Sequence, residues 1–453
     1  MTTRFLLVIA IGFMTWIGSL GAAIIAAEVV MPDLDVDVDG DKNVFAIPFD
    51  YGDGLVFAVH VEPPLAGGPP GMNLRTVVRK GTRRTDGHWD WQSTVVESRT
   101  LNDPWHNQAS IALDRLGYVH VAYNMHNMPW QYSVSSAPYD ISNFNFRGQE
   151  ITFRDLEAVK IHNRTPFPDA GTAQVPGNQV TYPMFFTDKQ GELFLTYRFA
   201  LKPARQWERR AFAGGIAKYD VRTRQWTPIG GRVPILSGDA TFPTGAAITH
   251  YFPFAFRDTY SVYLINLAFD DRNGMHAFWH WRPGGAGMET ILPTYAYSPN
   301  GHDFFRDDGG RYVLPVDVSS SSVIGSMPPN RQFYAPKSAA ILANGDPIVV
   351  LQPLSGGRVL YSLDRRTGRW FGPEPSPAGA SQIVIDRTDR QWAFSSGLRV
   401  FTRGASKTNW REVGQIGAGL CSPKVKYIES ENRFFVHSKT CDGRRASIRS
   451  FRP

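Results

Sequence analysis

The sequence predicts an all-β fold, a seven-bladed β-propeller. Three observations carry that prediction: a turn-and-strand unit that recurs seven times, abundant turn residues, and no helical period after residue 30. The unit is Asp-x-x-Gly, or a close relative, followed by a short apolar strand. Asp114-Arg115-Leu116-Gly117 leads into Tyr118 to Tyr123, Asp188-Lys189-Gln190-Gly191 into Glu192 to Tyr197, and Asp271-Arg272-Asn273-Gly274 into Met275 to Trp279. Degenerate copies stand at Gly54, Asn344-Gly345, Arg390 and Arg433. Successive intervals of 63, 74, 83, 71, 45 and 43 residues reach the usual blade period only at the C-terminal end, so the earlier blades carry longer loops. Outer-strand hairpins follow, as in Tyr219-Asp220 to Gln225-Trp226 and Ser362-Leu363-Asp364 to Gly368-Arg369-Trp370. A β-sandwich pair would not explain seven similar hairpins, and a β-helix would need shorter, more uniform rungs.

The supply of core material fits one large domain: 453 residues with 12 Trp, 17 Tyr and 29 Phe, and 42 Gly and 32 Pro for turns. Charged residues at 20% without long like-charge blocks exclude disorder and coiled coil. Phe5 to Ala27 is the one long apolar stretch, preceded by Arg4 and ending in small residues. It reads as a signal peptide over 1–27, with an uncleaved anchor as the alternative, leaving 28–453 as a single propeller and placing the protein in the periplasm or outside the cell. Cys421 and Cys441 are the only cysteines, and in an oxidising compartment a disulfide is favoured over a zinc site using His437. A net charge of +7 suits an acidic glycan partner, while no basic run with interleaved aromatics points to nucleic acid.

Function in a propeller collects in loops over one rim of the channel, so residues at strand ends opposite the Asp turns are the candidates. In the second unit His106 stands at the start of the descending strand and His126 just past the end of the returning one. The third unit repeats this with Tyr182 and Arg198. Such a set can perform β-elimination next to a uronic acid. Arg198 with a histidine neutralises the carboxylate, a base removes the C5 proton, and an acid protonates the departing O4; no metal or other cofactor is required. Tyr182 or His106 could do either proton transfer.

Asp103-Pro104-Trp105-His106-Asn107, His120 to His126, Tyr182-Pro183 and Gly191 to Tyr197-Arg198 resemble the propeller ulvan lyases and the related rhamnosyl-glucuronate lyases, proteins with bacterial neuraminidase repeats. The resemblance is densest from about residue 100 to 300. It implies that Tyr182 is acid or base, His106 a base or carboxylate ligand, Arg198 the neutraliser, and His126 the partner completing the pocket. It also implies an acidic polysaccharide or oligosaccharide substrate; a membrane is involved only if the apolar N-terminal segment stays uncleaved. Asn124, Arg282, Tyr334, Gln352, Trp105 and Trp130 are candidate sugar contacts near the same rim, and the segment from Gly230 to Thr259 has no counterpart in the pattern.

Bland readings apply elsewhere. His120 and His276 read as hydrogen-bonded structural residues, Trp279 as packing, and the acidic run Asp33 to Asp41, which lacks the closing Glu of an EF-hand, as an exposed turn. Rival functions are a glycoside hydrolase on the same scaffold, of rhamnosidase or sialidase type, and a non-catalytic glycan-binding propeller. A sialidase would need a three-arginine cluster with an acid pair.

Overall fold

The computed structural model describes residues 24–37, 46–63, 74–100, 109–128, 130–148, 178–201, 212–234, 250–283, 292–325, 333–353, 356–405 and 409–453. Seven antiparallel sheets of four or five strands are arranged as the blades of a β-propeller. The innermost strands are Phe49–Gly52, Ser110–Leu113, Asn178–Thr187, Tyr260–Phe269, Phe333–Ile341, Gln382–Ile385 and Leu420–Ile428, for blades 1 to 7 in order. Each of the seven turns read from the sequence joins one of these strands to the second strand of its blade.

The core is divided among the seams. Each pair of neighbouring blades encloses its own apolar cluster, such as Val180, Phe185, Leu195 and Trp226 with Tyr132 and Met125 between blades 2 and 3. Trp279, Trp281, Ile265 and Phe254 fill the seam of blades 3 and 4, and Trp392, Phe394, Phe434 and Phe451 that of blades 6 and 7. Full burial of one such side chain contributes roughly 1.5–3 kcal/mol, so the ring is held by many moderate contacts instead of one central core.

The ring closes through Glu28–Asp35, which is the outermost strand of blade 7 and pairs with Arg445–Phe451. The Glu28 carboxylate receives Arg433 at 2.5 Å, Trp89 at 2.9 Å and Arg83 at 3.1 Å, tying blade 7 to blade 1. This closure corrects the reading of the acidic run: Asp33 and Asp35 lie in a strand, recruited by pairing with Arg445–Phe451, while residues 38–41 lie outside the described residues.

At the turn end, one carboxylate oxygen organises each Asp loop. Asp114 Oδ1 accepts the N–H groups of Leu116 and Tyr118, Asp188 Oδ1 those of Gln190 and Glu192, and Asp386 Oδ1 those of Thr388 and Arg390. In blade 4 the residue doing this is Asp270, accepting from Arg272 and Gly274, so the motif starts one residue before Asp271. The frame shifts because the left-handed turn position, Gly117 and Gly191 elsewhere, is Asn273 here with φ 66°. The other Oδ holds the next strand: His120 Nε2 lies 3.3 Å from Asp114 Oδ2 with Nδ1 at 2.5 Å from Tyr132 Oη, and His276 repeats this with Asp270 at 3.6 Å and Tyr295 at 3.0 Å. Both imidazoles are fully buried.

The segment from Gly230 to Thr259 is a buttress where it is described. Val233–Pro234 pairs with His250–Tyr251, then Phe254 and Ala255 exchange backbone hydrogen bonds with Gly214 of blade 3, and Phe254 and Phe256 do so with Val316 from the long loop of blade 4. A side chain at position 214 would meet Val262 and Ile265 at under 3 Å, so glycine is required for this close approach.

Candidate active site

At the channel end opposite the Asp turns, a bulge interrupts the inner strand of blade 3 between Thr181 and Met184, and Tyr182 within it takes φ 59°. An unfavourable backbone for a tyrosine points to a side chain aimed by the bulge. Thr181 faces Arg198 on the second strand and, on its other side, His126. His126–Met128 leaves blade 2 and adds a short fifth strand to blade 3, which brings the half-buried His126 beside the Tyr182 bulge.

Arg198 is 5% exposed, and three rings surround its guanidinium: Phe212 at 4.3 Å, Tyr182 at 4.7 Å and Tyr263 at 4.7 Å. Each face-on contact is worth roughly 0.5–2 kcal/mol, and together they hold a fixed positive charge at the channel mouth. Tyr263 comes from blade 4, where it stands 6.0 Å from the Tyr182 ring. Arg282 Nη1 donates to Tyr263 Oη at 3.4 Å, and the His280 ring stacks on Tyr263 at 5.4 Å. Burial first, then Lys337 and Arg282, lower His280 to about 3, so it is neutral in ordinary buffers. Two guanidiniums thus flank two phenols, an arrangement that can receive a carboxylate and pass protons through hydroxyl groups.

Of the residues read from the sequence, the structure brings together His126, Tyr182, Arg198 and Arg282. His106 and Trp105 lie outside the described residues. Asn124 is buried with φ 54° and donates to the Arg99 carbonyl at 3.3 Å; Trp130 packs edge-on against Tyr197 at 5.1 Å. Gln352 and Tyr334 face each other at the blade 5 position equivalent to the Thr181 and Arg198 pair. Trp279 and Trp281 are fully buried, the latter donating to Ser321 Oγ. Cys421 and Cys441 form a disulfide across the top of blade 7.

Tyr263 and His280 were missed by sequence reasoning, yet a signal existed. Tyr263 precedes the turn residue Asp270 by as many positions as Thr181 precedes Asp188, and His280 follows it by as many as Arg198 follows Asp188. The frame error at Asp271 hid that equivalence.

A family model described as BNR repeat-containing family member matches residues 73–374. No curated protein matches by sequence. Among solved structures, the crystal structure of polysaccharide lyase Uly1 is similar at TM-score 0.62 and 12% identity, over 95% of this chain and 98% of that one. An ulvan lyase of polysaccharide lyase family PL25, bound to -[GlcA(1-4)Rha3S]-, is similar at TM-score 0.59 and 12% identity, over 93% and 95%. At this identity the likeness is one of fold.

Proposed function

We propose, for a chain that belongs to the BNR repeat-containing family, that it is a lyase cleaving an acidic glycan by β-elimination next to a uronic acid. The observation that carries this reading is Arg198, a buried guanidinium ringed by Tyr182, Tyr263 and Phe212 at the channel mouth. A uronate C5–H is only weakly acidic, and a carboxylate paired with a guanidinium in a site of low polarity becomes the electron sink that lets it ionise. Arg198, with Arg282 behind Tyr263, supplies that pairing. A base at Tyr182 or a histidine takes the C5 proton. The C5–H electrons form the C4–C5 double bond, the C4–O4 bond breaks with its pair going to O4, and a phenol donates the proton that O4 needs. The product is a 4,5-unsaturated uronate and a new hydroxyl end.

The glucuronate–rhamnose oligosaccharide named for the ulvan lyase neighbour supports this substrate class as the first to try. We also propose that the protein is exported, on the strength of the apolar segment from Phe5 to Ala27 and the Cys421–Cys441 disulfide. The test is incubation of the purified chain with uronate glycans while mid-ultraviolet absorbance is followed. A rise that Tyr182→Phe abolishes supports the lyase; sugar release without absorbance transfers the case to a hydrolase, and binding without turnover to a glycan-binding propeller.

A further inference from the structure

The cationic position of blade 3 has counterparts across the channel, built on the same backbone device. Blades 3, 4 and 7 each carry a left-handed residue at an inner-strand bulge, namely Tyr182, Leu264 and Ser422, and blade 5 shifts register between Tyr334 and Ser338. The second-strand residue facing the start of each irregularity is Arg198 in blade 3, His280 in blade 4, Gln352 in blade 5 and Lys439 in blade 7. Lys439 is therefore the positional mate of Arg198, and it is 5% exposed. Beside it, the bulge of blade 7 ends at Lys424, and that of blade 5 contains Lys337.

Lys337 and Lys424 both line the axial cavity of about 710 Å³, with Gln382 of blade 6 between them. In a ring of seven, blades 6 and 7 stand opposite blade 3, so Lys424 on blade 7 lies across the axis from the blade of Arg198, and Lys337 on blade 5 lies two blades from it. Burial lowers both to about 8, helped by Arg358 for Lys337 and by Lys337 and Lys439 for Lys424. The cations of this wall therefore act on one another, and an anion seated between them would relieve that repulsion.

We propose that Lys337 and Lys424 form a second anion subsite that takes a sulfate ester or a second carboxylate of the glycan whose uronate meets Arg198. The subsite deepens the lyase reading by naming a substrate with more than one negative group near the cut, and it rests on that reading only for the glycan. Compact ammonium groups on flexible stems suit an oxyanion approached from two sides, where Arg198 suits a planar carboxylate.

Inorganic sulfate is the probe, compared with chloride at equal ionic strength and with acetate. Limiting acetic anhydride at pH 8 acetylates the wild-type chain, and mass spectrometry reads each lysine. Lys337 and Lys424 are expected to react about tenfold more slowly with sulfate at roughly ten times its dissociation constant, while surface lysines are unaffected. Sulfate also raises the unfolding temperature above that in chloride, an increment lost in Lys337→Met and Lys424→Met and kept in Arg198→Met. Equal protection by acetate assigns the subsite to carboxylates, and protection by sulfate alone to sulfate esters. Absence of protection by either anion overturns the proposal, as does loss of the sulfate increment in Arg198→Met alone. Because no glycan turnover is measured, failure of the lyase reading leaves this result standing and the reverse also holds.

Discussion

The two ends of the propeller use the same side chains to opposite ends. At the turn end, His120 with Asp114 and Tyr132, and His276 with Asp270 and Tyr295, are buried sets in which each imidazole is pinned between an acid and a phenol. At the mouth, Tyr182, Tyr263 and Phe212 surround the Arg198 guanidinium and His280 stacks on Tyr263, at bulged strands. A histidine beside an aspartate and a tyrosine would pass for a catalytic set on residue types alone. The difference is that the turn-end imidazoles are fully buried between their acid and phenol neighbours, whereas the mouth sets the Arg198 guanidinium beside the Tyr182 and Tyr263 rings at bulged strands. Backbone irregularity separates a candidate site from a scaffold here better than residue identity does.

The sharpest break of this comparison is Arg198→Met, expected to lower kcat/KM on the cleaved glycan by about 10²- to 10³-fold, the usual worth of one preorganised charge-stabilising donor. Its thermal unfolding should also fall, because the three ring contacts of the guanidinium are lost, so kcat/KM is read per folded molecule. Arg198→Lys keeps the charge but loses the planar stack, and steady-state kinetics should find it closer to Arg198→Met than to wild type.

The mirror experiment is at the turn end. Asp114→Ala removes the acceptor of two backbone N–H groups and the partner of His120, and denaturant titration should find a loss of about 2–3 kcal/mol with kcat per folded molecule unchanged. Reducing the Cys421–Cys441 bridge, with a sequence separation of 20, is expected to cost about 3 kcal/mol by freeing the unfolded chain, read as a lowered urea midpoint.

A pH titration reads the buried histidines. Burial lowers His276 from 6.5 to about 4, and His437 to about 3. The unfolded chain therefore takes up protons below pH 6.5 that the folded chain refuses until near pH 4. Their contribution to stability is whole above pH 6.5 and is lost as pH falls from there toward 4. Urea midpoints should decline through that window, and His276→Gln should flatten the decline whereas Arg198→Met should not. The smallest effect is expected for Tyr263→Phe, which keeps the stack and loses the hydroxyl that accepts Arg282. A fall of about fivefold in kcat/KM, the worth of ~1 kcal/mol, would separate an orienting hydroxyl from an essential one.

Much of the fold was legible in the sequence because each Asp turn is local chemistry: a carboxylate two to four residues from the N–H groups it accepts, followed by a short apolar strand buried along most of its length. Half of the candidate site was legible for the same reason, since Tyr182 and Arg198 sit at fixed offsets from Asp188. Tyr263 and His280 were not, because the one-residue frame difference between Asp270 and Asp271 concealed their equivalence. Nor could the sequence show that the acidic run from Asp33 begins as a strand, because its partner Arg445–Phe451 lies at the other end of the chain.

By itself the sequence determined the repeated unit, the number of units, and which of them carry long loops, all of which depend on neighbours along the chain. Tertiary structure decided that His126 leaves its own blade to pair with Thr181, that Tyr263 meets Arg198 across a blade seam, and that Lys337 and Lys424 share one cavity. Those meetings are set by ring closure and by where the bulges turn the inner strands. Both depend on contacts between residues distant in the chain, which no local pattern of residues specifies.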